Sequence, residues 1–293
     1  MRIVSLLPAH TEVLFAIGAG HDVVGVTFEC DHPAEARSRT IVSTSAMPEG
    51  LTPPEIDAYV AAAVAAGEDL YRLDAGALAG LDADLVVTQD LCAVCAVDVS
   101  VVDDALAHLG CTADVLTLDP HTLAEVDDAV LRLGAATDRT EAAEALVAST
   151  RARLDAVRAR VAGRPRPRVA VLEWTDPPYA PGHWIPEMVE AAGGECVLGT
   201  AGAPSTRVTW EAVHAADPEV YVVAPCGFDR DGAQAQADAL LAQGLVPPGA
   251  RVLAVDANAS WARPGTRLVD GVEELAAYLH GWGGGLQESP VNR

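Results

Sequence analysis

Residues Asp138–Gly163 read DRTEAAEALVASTRARLDAVRARVAG, and this stretch decides how the rest of the chain is divided. Ala143, Leu146, Val147, Thr150, Leu154, Val157 and Val161 recur at steps of three and four, which places them on one stripe of a helix. Asp138 with Glu141 has the form of a capping box. Gly163 supplies a C-terminal stop, and the prolines of Arg164-Pro165-Arg166-Pro167-Arg168 cannot continue the helix. At 1.5 Å per residue such a helix is roughly 35 Å long, about the width of a small domain.

On either side of it the chain alternates strands and helices, the pattern of parallel sheets covered on both faces. Before it, strands are predicted at Ile3–Leu7, Val23–Val26, Ile41–Val42, Leu85–Val87 and Val115–Leu118, with helices after Pro8, from Pro53 and over Val99–Leu109. After it, a strand at Val169–Leu172 leads into a proline-stiffened loop, Glu173–Pro186. The two halves share punctuation in the same order. Gly20-His21-Asp22-Val23-Val24-Gly25 matches Gly194-Glu195-Cys196-Val197-Leu198-Gly199, Asp82–Val87 matches Asp217–Val222, and Asp114–Asp119 matches Arg251–Asp256. Two related α/β lobes follow, with the helix from Asp138 as their connector and its apolar stripe shared between them. The expected boundaries are 1–121 for the first lobe, 122–163 for the connecting helices, 164–282 for the second lobe and 283–293 for a tail.

The chain has 293 residues, half of them hydrophobic and few aromatic, which suits one or two α/β cores. A formal charge of −23, from 42 acidic against 19 basic residues, disfavours nucleic acid and anionic membranes as partners. No apolar run approaches the roughly 20 residues of a membrane span, so no membrane insertion is expected. Met1–His10 lacks the pattern of a secretory signal and looks like a buried strand, from which a cytoplasmic location is expected. In that compartment the six cysteines are thiols or ligands rather than disulfides.

In open parallel sheets ligands bind beyond the carboxyl ends of the strands. In the first lobe those positions hold Ser5, Thr11, Glu12, Glu29, Cys30, Ser43, Ser45, Thr88, Gln89, Cys92 and Cys95. In the second they hold Glu173, Trp174, Tyr179, His183, Trp184, Pro225, Cys226, Gly227, Asn258 and Trp261. Three of the five tryptophans fall here, as expected of aromatic walls around a bulky, partly apolar ligand. Unligated thiols lining a pocket and a metal site made by Cys30, Cys92, Cys95 and Cys226, with or without His183, are both open; the latter suits zinc, an iron-sulfur cluster or a soft metal in a bound cofactor. The Cys92-x-x-Cys95 spacing also permits thiol redox chemistry. There is no G-x-S-x-G, Walker loop, H-E-x-x-H or G-x-G-x-x-G after a strand, and nothing requires an enzyme.

Ile3-Val4-Ser5-Leu6-Leu7-Pro8 with Thr11-Glu12, the turn and strand Gly18–Gly25, Asp84-Leu85-Val86-Val87 and Ala191-Ala192-Gly193-Gly194 resemble the Fe/B12 periplasmic-binding domain. This is the family of solute-binding proteins that serve cobalamin and iron-siderophore importers, and the resemblance runs over about Met1–Gly281. It implies two Rossmann-like α/β lobes joined by a long rigid backbone helix, the helical-backbone metal-receptor type, with ligand between the lobes. Within the family the chain looks closest to the cobalamin binders, whose aromatic side chains hold the corrin; Trp174, Trp184 and Trp261 occupy comparable loops. Family members dock an importer permease through an acidic residue on each lobe. Glu211 fits the second-lobe position, whereas the first-lobe place falls near Gly76, with Asp74 beside it. Gln89–Cys95 and Gly182-His183-Trp184 depart from the family pattern, so ligand identity does not carry over, and without a secretory signal a permease is a doubtful partner. The expectation is a non-enzymatic cytoplasmic protein holding a corrinoid, metal chelate or similar bulky cofactor. The alternative is a cysteine-ligated metal or iron-sulfur protein built on Cys92 and Cys95. The ligand-contacting set is Glu29, Cys30, Gln89, Cys92, Cys95, Trp174, Tyr179, His183, Trp184, Cys226 and Trp261.

Overall fold

The computed structural model describes residues 1–89 and 113–282. The chain divides into two compact units, Met1–Ser149 with Arg263–Thr266, and Thr150–Ala262 with the residues from Arg267 on.

In the first unit five parallel strands lie in the order Thr40–Ile41, Val23–Val26, Ile3–Ser5, Leu85–Thr88, Asp114–Thr117. Alternation along the strands covers both faces. Ile3, Leu85 and Val87 join Val13, Leu14, Ile17, Leu118 and Leu133 on one side, while Val4 and Val86 join Leu6, Val42, Leu78 and Leu81 on the other. A small antiparallel pair, Ser43–Ser45 with Tyr71–Leu73, lies outside this sheet.

The second unit has four parallel strands in the order Glu195–Cys196, Arg168–Leu172, Val220–Val223, Arg251–Ala254. Ala170, Leu172, Tyr221, Val223 and Ala254 form one core with Val213, Ala233, Ala237 and Leu240. Val169, Val171, Val220 and Val222 are buried as well. The proline-rich stretch, expected to be a loop, contains short strands Trp174–Thr175 and Pro178–Ala180, and Thr206–Arg207 completes a three-stranded antiparallel sheet. Strands of two or three residues are too short to show a period-two pattern, which is why the sequence hides them.

The central helix runs Thr140–Val161 and the unit boundary falls inside it, between Ser149 and Thr150. Ala143 and Val147 belong to a core of the first unit. In the second unit Val161 is buried, and a Cβ on Gly193 would come within 2.7 Å of it. Arg153 reaches Asp270 and Glu273 on the helix Leu268–His280, at 2.6 Å each. The helix stops as expected, with Gly163 at φ 74, but its start does not follow the capping box. Asp138 has φ 55 and so sits in the left-handed region, in the turn after the helix Leu123–Ala136; Arg139 carbonyl accepts from Ala143 N–H at 3.0 Å instead. The sharp reversal between two helices claims Asp138 before it can act as a cap.

Candidate functional site

Parallel strands leave their loops at the carboxyl edge, and in the first unit that edge is polar and closed in by hydrogen bonds. Ser5 ends the central strand and accepts from Thr11 Oγ1 at 2.8 Å. Thr11 Oγ1 and Thr27 Oγ1 lie 3.1 and 3.2 Å from Cys30 Sγ. Cys30 is 1 % exposed, and burial pushes its thiol pKa up. Beside it Glu29 accepts from the Tyr71 hydroxyl at 2.9 Å. Burial raises the Glu29 pKa, opposed by that hydroxyl and by Arg263. The Tyr71 ring also lies 5.9 Å from Phe28, which is 41 % exposed. Gln89 is buried at the end of its strand. Cys92 and Cys95, and the helix expected over Val99–Leu109, lie outside the described residues.

The same edge holds a charge cluster of which the strand-end rule reached Glu12 and Glu29 but neither Asp31 nor Arg263. Arg263, 13 % exposed, donates through Nη1 to Glu12 at 3.2 Å and to Asp31 at 2.5 Å. Its Nη2 donates to Asp31 at 3.4 Å and to Glu29 carbonyl at 3.3 Å. Burial is the largest influence on this guanidinium and disfavours its charge, but Asp31 and Glu12 outweigh it and hold the pKa above the ordinary value. Arg263 lies well past the last strand, Arg251–Ala254, so only following that loop through Pro264-Gly265 would have found it.

In the second unit Glu173 ends its strand as a staple, with its carboxylate accepting from Gly182 N–H at 3.0 Å and from Ser205 Oγ at 2.6 Å. Gly199 is required nearby, because a Cβ there would come within 1.8 Å of Pro181 carbonyl and its φ is 78. The staple fixes the hairpin that carries Trp174 and Tyr179, both half-buried. Trp174 packs at 5.7 Å against Phe228, and its indole donates to Asp176 carbonyl at 3.1 Å. Cys226 is exposed, and its N–H donates to Glu173 carbonyl at 3.1 Å.

The other two tryptophans are interior. Trp184 is 4 % and Trp261 0 % exposed, and the Trp184 indole donates to Trp261 carbonyl at 2.8 Å. His183, at φ 50, lies with its ring tilted against that of Trp184, 5.6 Å between centroids. A tryptophan in a loop sequence can still fill a core, and here the pair packs within its own unit. Glu211 is exposed in the first turn of the helix Trp210–Ala215, where its backbone and the Thr209 cap hold its carboxyl below the usual range. Among the described residues no group of three or more His, Cys, Asp or Glu is placed to hold a metal ion, and helices long and apolar enough to cross a membrane are absent.

Two α/β units, each with its loops at the carboxyl edge of a parallel sheet, and long backbone helices define a solute-binding protein. The chain matches the periplasmic binding protein family over residues 3–246 and belongs to it. Among solved structures it is similar to a periplasmic heme binding protein from Pseudomonas aeruginosa, at 22% identity and a TM-score of 0.71 over 96% of this chain and 92% of that one. It is similar to the periplasmic heme-binding protein RhuT from Roseiflexus sp. RS-1, at 22% identity and a TM-score of 0.70 over 96% and 98%. The periplasmic vitamin B12 binding protein BtuF of Vibrio cholerae matches at 21% identity and a TM-score of 0.64 over 95% and 96%. At such identities the likeness speaks to the fold, and it does not favour cobalamin binders over heme binders.

Membership corrects the expected location: the family and these structures are periplasmic binding proteins, which overturns the cytoplasmic assignment. The strand Ile3–Ser5 shows what the first residues do in the fold and carries no information about delivery. The family is also one of non-catalytic solute-binding proteins. The metal-binding assignment built on the C-x-x-C finds no support in the described residues or in the family, and neither a zinc nor an iron-sulfur site is assigned.

Proposed function

We propose that this protein receives a bulky tetrapyrrole, heme-like or B12-like, for an ABC-type uptake system, and that the finer choice is a corrinoid. The observation that carries this is the family match over residues 3–246, and the residues at the carboxyl edges suit it. Glu29 and Gln89 in the first unit, and Trp174 and Tyr179 on the stapled hairpin of the second, offer hydrogen bonds and ring faces to a large ligand. Trp184 and Trp261 serve this proposal as the packed support of their unit. Glu211 is proposed as a contact for the permease, since it is exposed on a helix end.

Purified protein mixed with cyanocobalamin or hemin should co-elute with at least one of them on size exclusion and shift its visible spectrum. Absence of both effects at about one hundred micromolar ligand, where a site with a dissociation constant of about ten micromolar is about nine-tenths filled, would reject the proposal.

A further inference from the structure

The chain contains no lysine, so arginine alone offsets its carboxylates, and the acidic excess is not shared evenly. Over the first unit's sequence stand 25 acidic residues against 7 arginines, a formal charge of −18; over the second's stand 17 against 12, a charge of −5. The self-repulsion of compact bodies of similar size grows with the square of the charge, so that of the first unit is about thirteen times that of the second.

The pairing of charges differs in the same direction. In the second unit arginine meets carboxylate repeatedly: Arg153 with Asp270 and Glu273, Arg158 with Asp155, Arg166 with Glu190, Arg168 with Glu195 and Arg230 with Glu274. In the first unit Arg263 is enclosed with Glu12 and Asp31, while Arg2 donates to Leu81 carbonyl and Arg132 to Thr117 carbonyl. Exposed carboxylates meanwhile stand three residues apart on single helices, Glu125 with Asp128 on Leu123–Ala136 and Glu141 with Glu144 on Thr140–Val161. At that spacing helical side chains are neighbours, roughly 5–6 Å apart, and like charges repel. The screening length is roughly 10 Å in about 0.1 M salt, longer than this spacing, and roughly 3 Å in about 1 M salt, shorter than it. Ordinary ionic strength leaves the repulsion standing, and near-molar salt removes it.

We infer that the first unit is built for near-molar salt: ionic strength sets its stability, while the second unit, with its carboxylates paired by arginine, responds little. Salt thereby governs the fraction of molecules in which the first unit's carboxyl edge is formed, whatever ligand that edge serves.

Hydrogen-deuterium exchange of the whole chain, at constant pH in about 0.1 and about 1 M sodium chloride, reads the two units separately by peptide. Protection of Leu85–Thr88 and Leu123–Ala136 should rise about a hundred-fold with salt, and protection of Val220–Val223 and Leu268–His280 less than about three-fold. A general strengthening of apolar burial by salt would raise both units alike. Equal rises in the two units, or no rise in the first, would overturn the inference, and this comparison needs no variant. A chain carrying Glu49→Gln, Glu68→Gln, Asp128→Asn and Glu144→Gln, all at exposed positions, loses four of the 18 net charges and with them about two-fifths of the first unit's self-repulsion. Its first unit should start better protected at low salt and gain about three-fifths as much, on a logarithmic scale, when salt is raised. A salt response unchanged by the four substitutions would also overturn the inference.

Discussion

The two units share a framework and differ at its edges. Leaving aside the edge strand Thr40–Ile41, both sheets run second, first, third, fourth in chain order. The third strands begin at matched residues, Leu85 and Val220, and the fourth at Asp114 and Arg251. Each third strand is preceded by an aspartate in the left-handed region, Asp82 at φ 42 and Asp217 at φ 47. Upstream of these turns stand short helices capped by Asp74 and by Thr209, which bury Leu78 and Val213 respectively. On that register Gly76 is the counterpart of Glu211. What the strands carry is different. The first unit's edge is a buried polar and charged network around Cys30 and Arg263, and the second unit's edge is a stapled aromatic hairpin over a tryptophan interior. Sheet order is set by the pattern of buried strands, which both halves retain, and the edge loops are free to diverge around it.

The tryptophans give the largest expected effect. Trp261→Ala empties a site that is fully enclosed and should cost about 3–5 kcal/mol in urea unfolding. Trp174→Ala, at a half-buried platform, should cost less than about 1 kcal/mol and show its effect in ligand affinity instead. Equal losses of stability would erase the distinction between interior and edge.

The next effect belongs to the first unit alone. His10 is buried with neither ring nitrogen partnered, and burial pushes its pKa down from 6.5 to about 3. The unfolded chain therefore binds a proton that the folded chain refuses between those values. Stability is full above about 6.5 and falls as the pH drops toward 3, by at most about 1.4 kcal/mol per pH unit. Unfolding at a series of pH values should show this slope, and His10→Leu should flatten it.

The smallest effect tests the shared framework. Asp82→Gly and Asp217→Gly each relieve a left-handed side chain and should each stabilise by about 0.5 kcal/mol, in equal measure. A gain in one unit and a loss in the other would mean that the two turns are alike only in their dihedral angles.

Much of this framework was legible in the sequence because it rests on periodicity. The matched strings starting at Asp82 and Asp217, and at Asp114 and Arg251, fall in register with the strands. The first match is one residue out: Ile3 pairs with Val23, and its counterpart Val169 with Cys196, so Cys196 corresponds to Val23 rather than Asp22. The same pairing is irregular between Ile3 and Val4, and no composition rule signals either feature. The edges were less legible. The strand-end rule located Glu29, Cys30, Glu173 and Trp174, but it treats every loop residue alike. It could not tell that Trp184 and Trp261 turn inward, because burial depends on packing partners distant in sequence. Arg263 escaped for the same reason, since its partners Glu12 and Asp31 lie at the other end of the chain.

The central claim, a solute-binding protein for a bulky tetrapyrrole, is tested most directly by titrating cyanocobalamin and hemin into the purified protein while following visible absorbance and tryptophan fluorescence. A saturable change with a dissociation constant of about ten micromolar or tighter for one of them is expected. Spectra and emission that remain the sum of protein and free ligand throughout both titrations would contradict it.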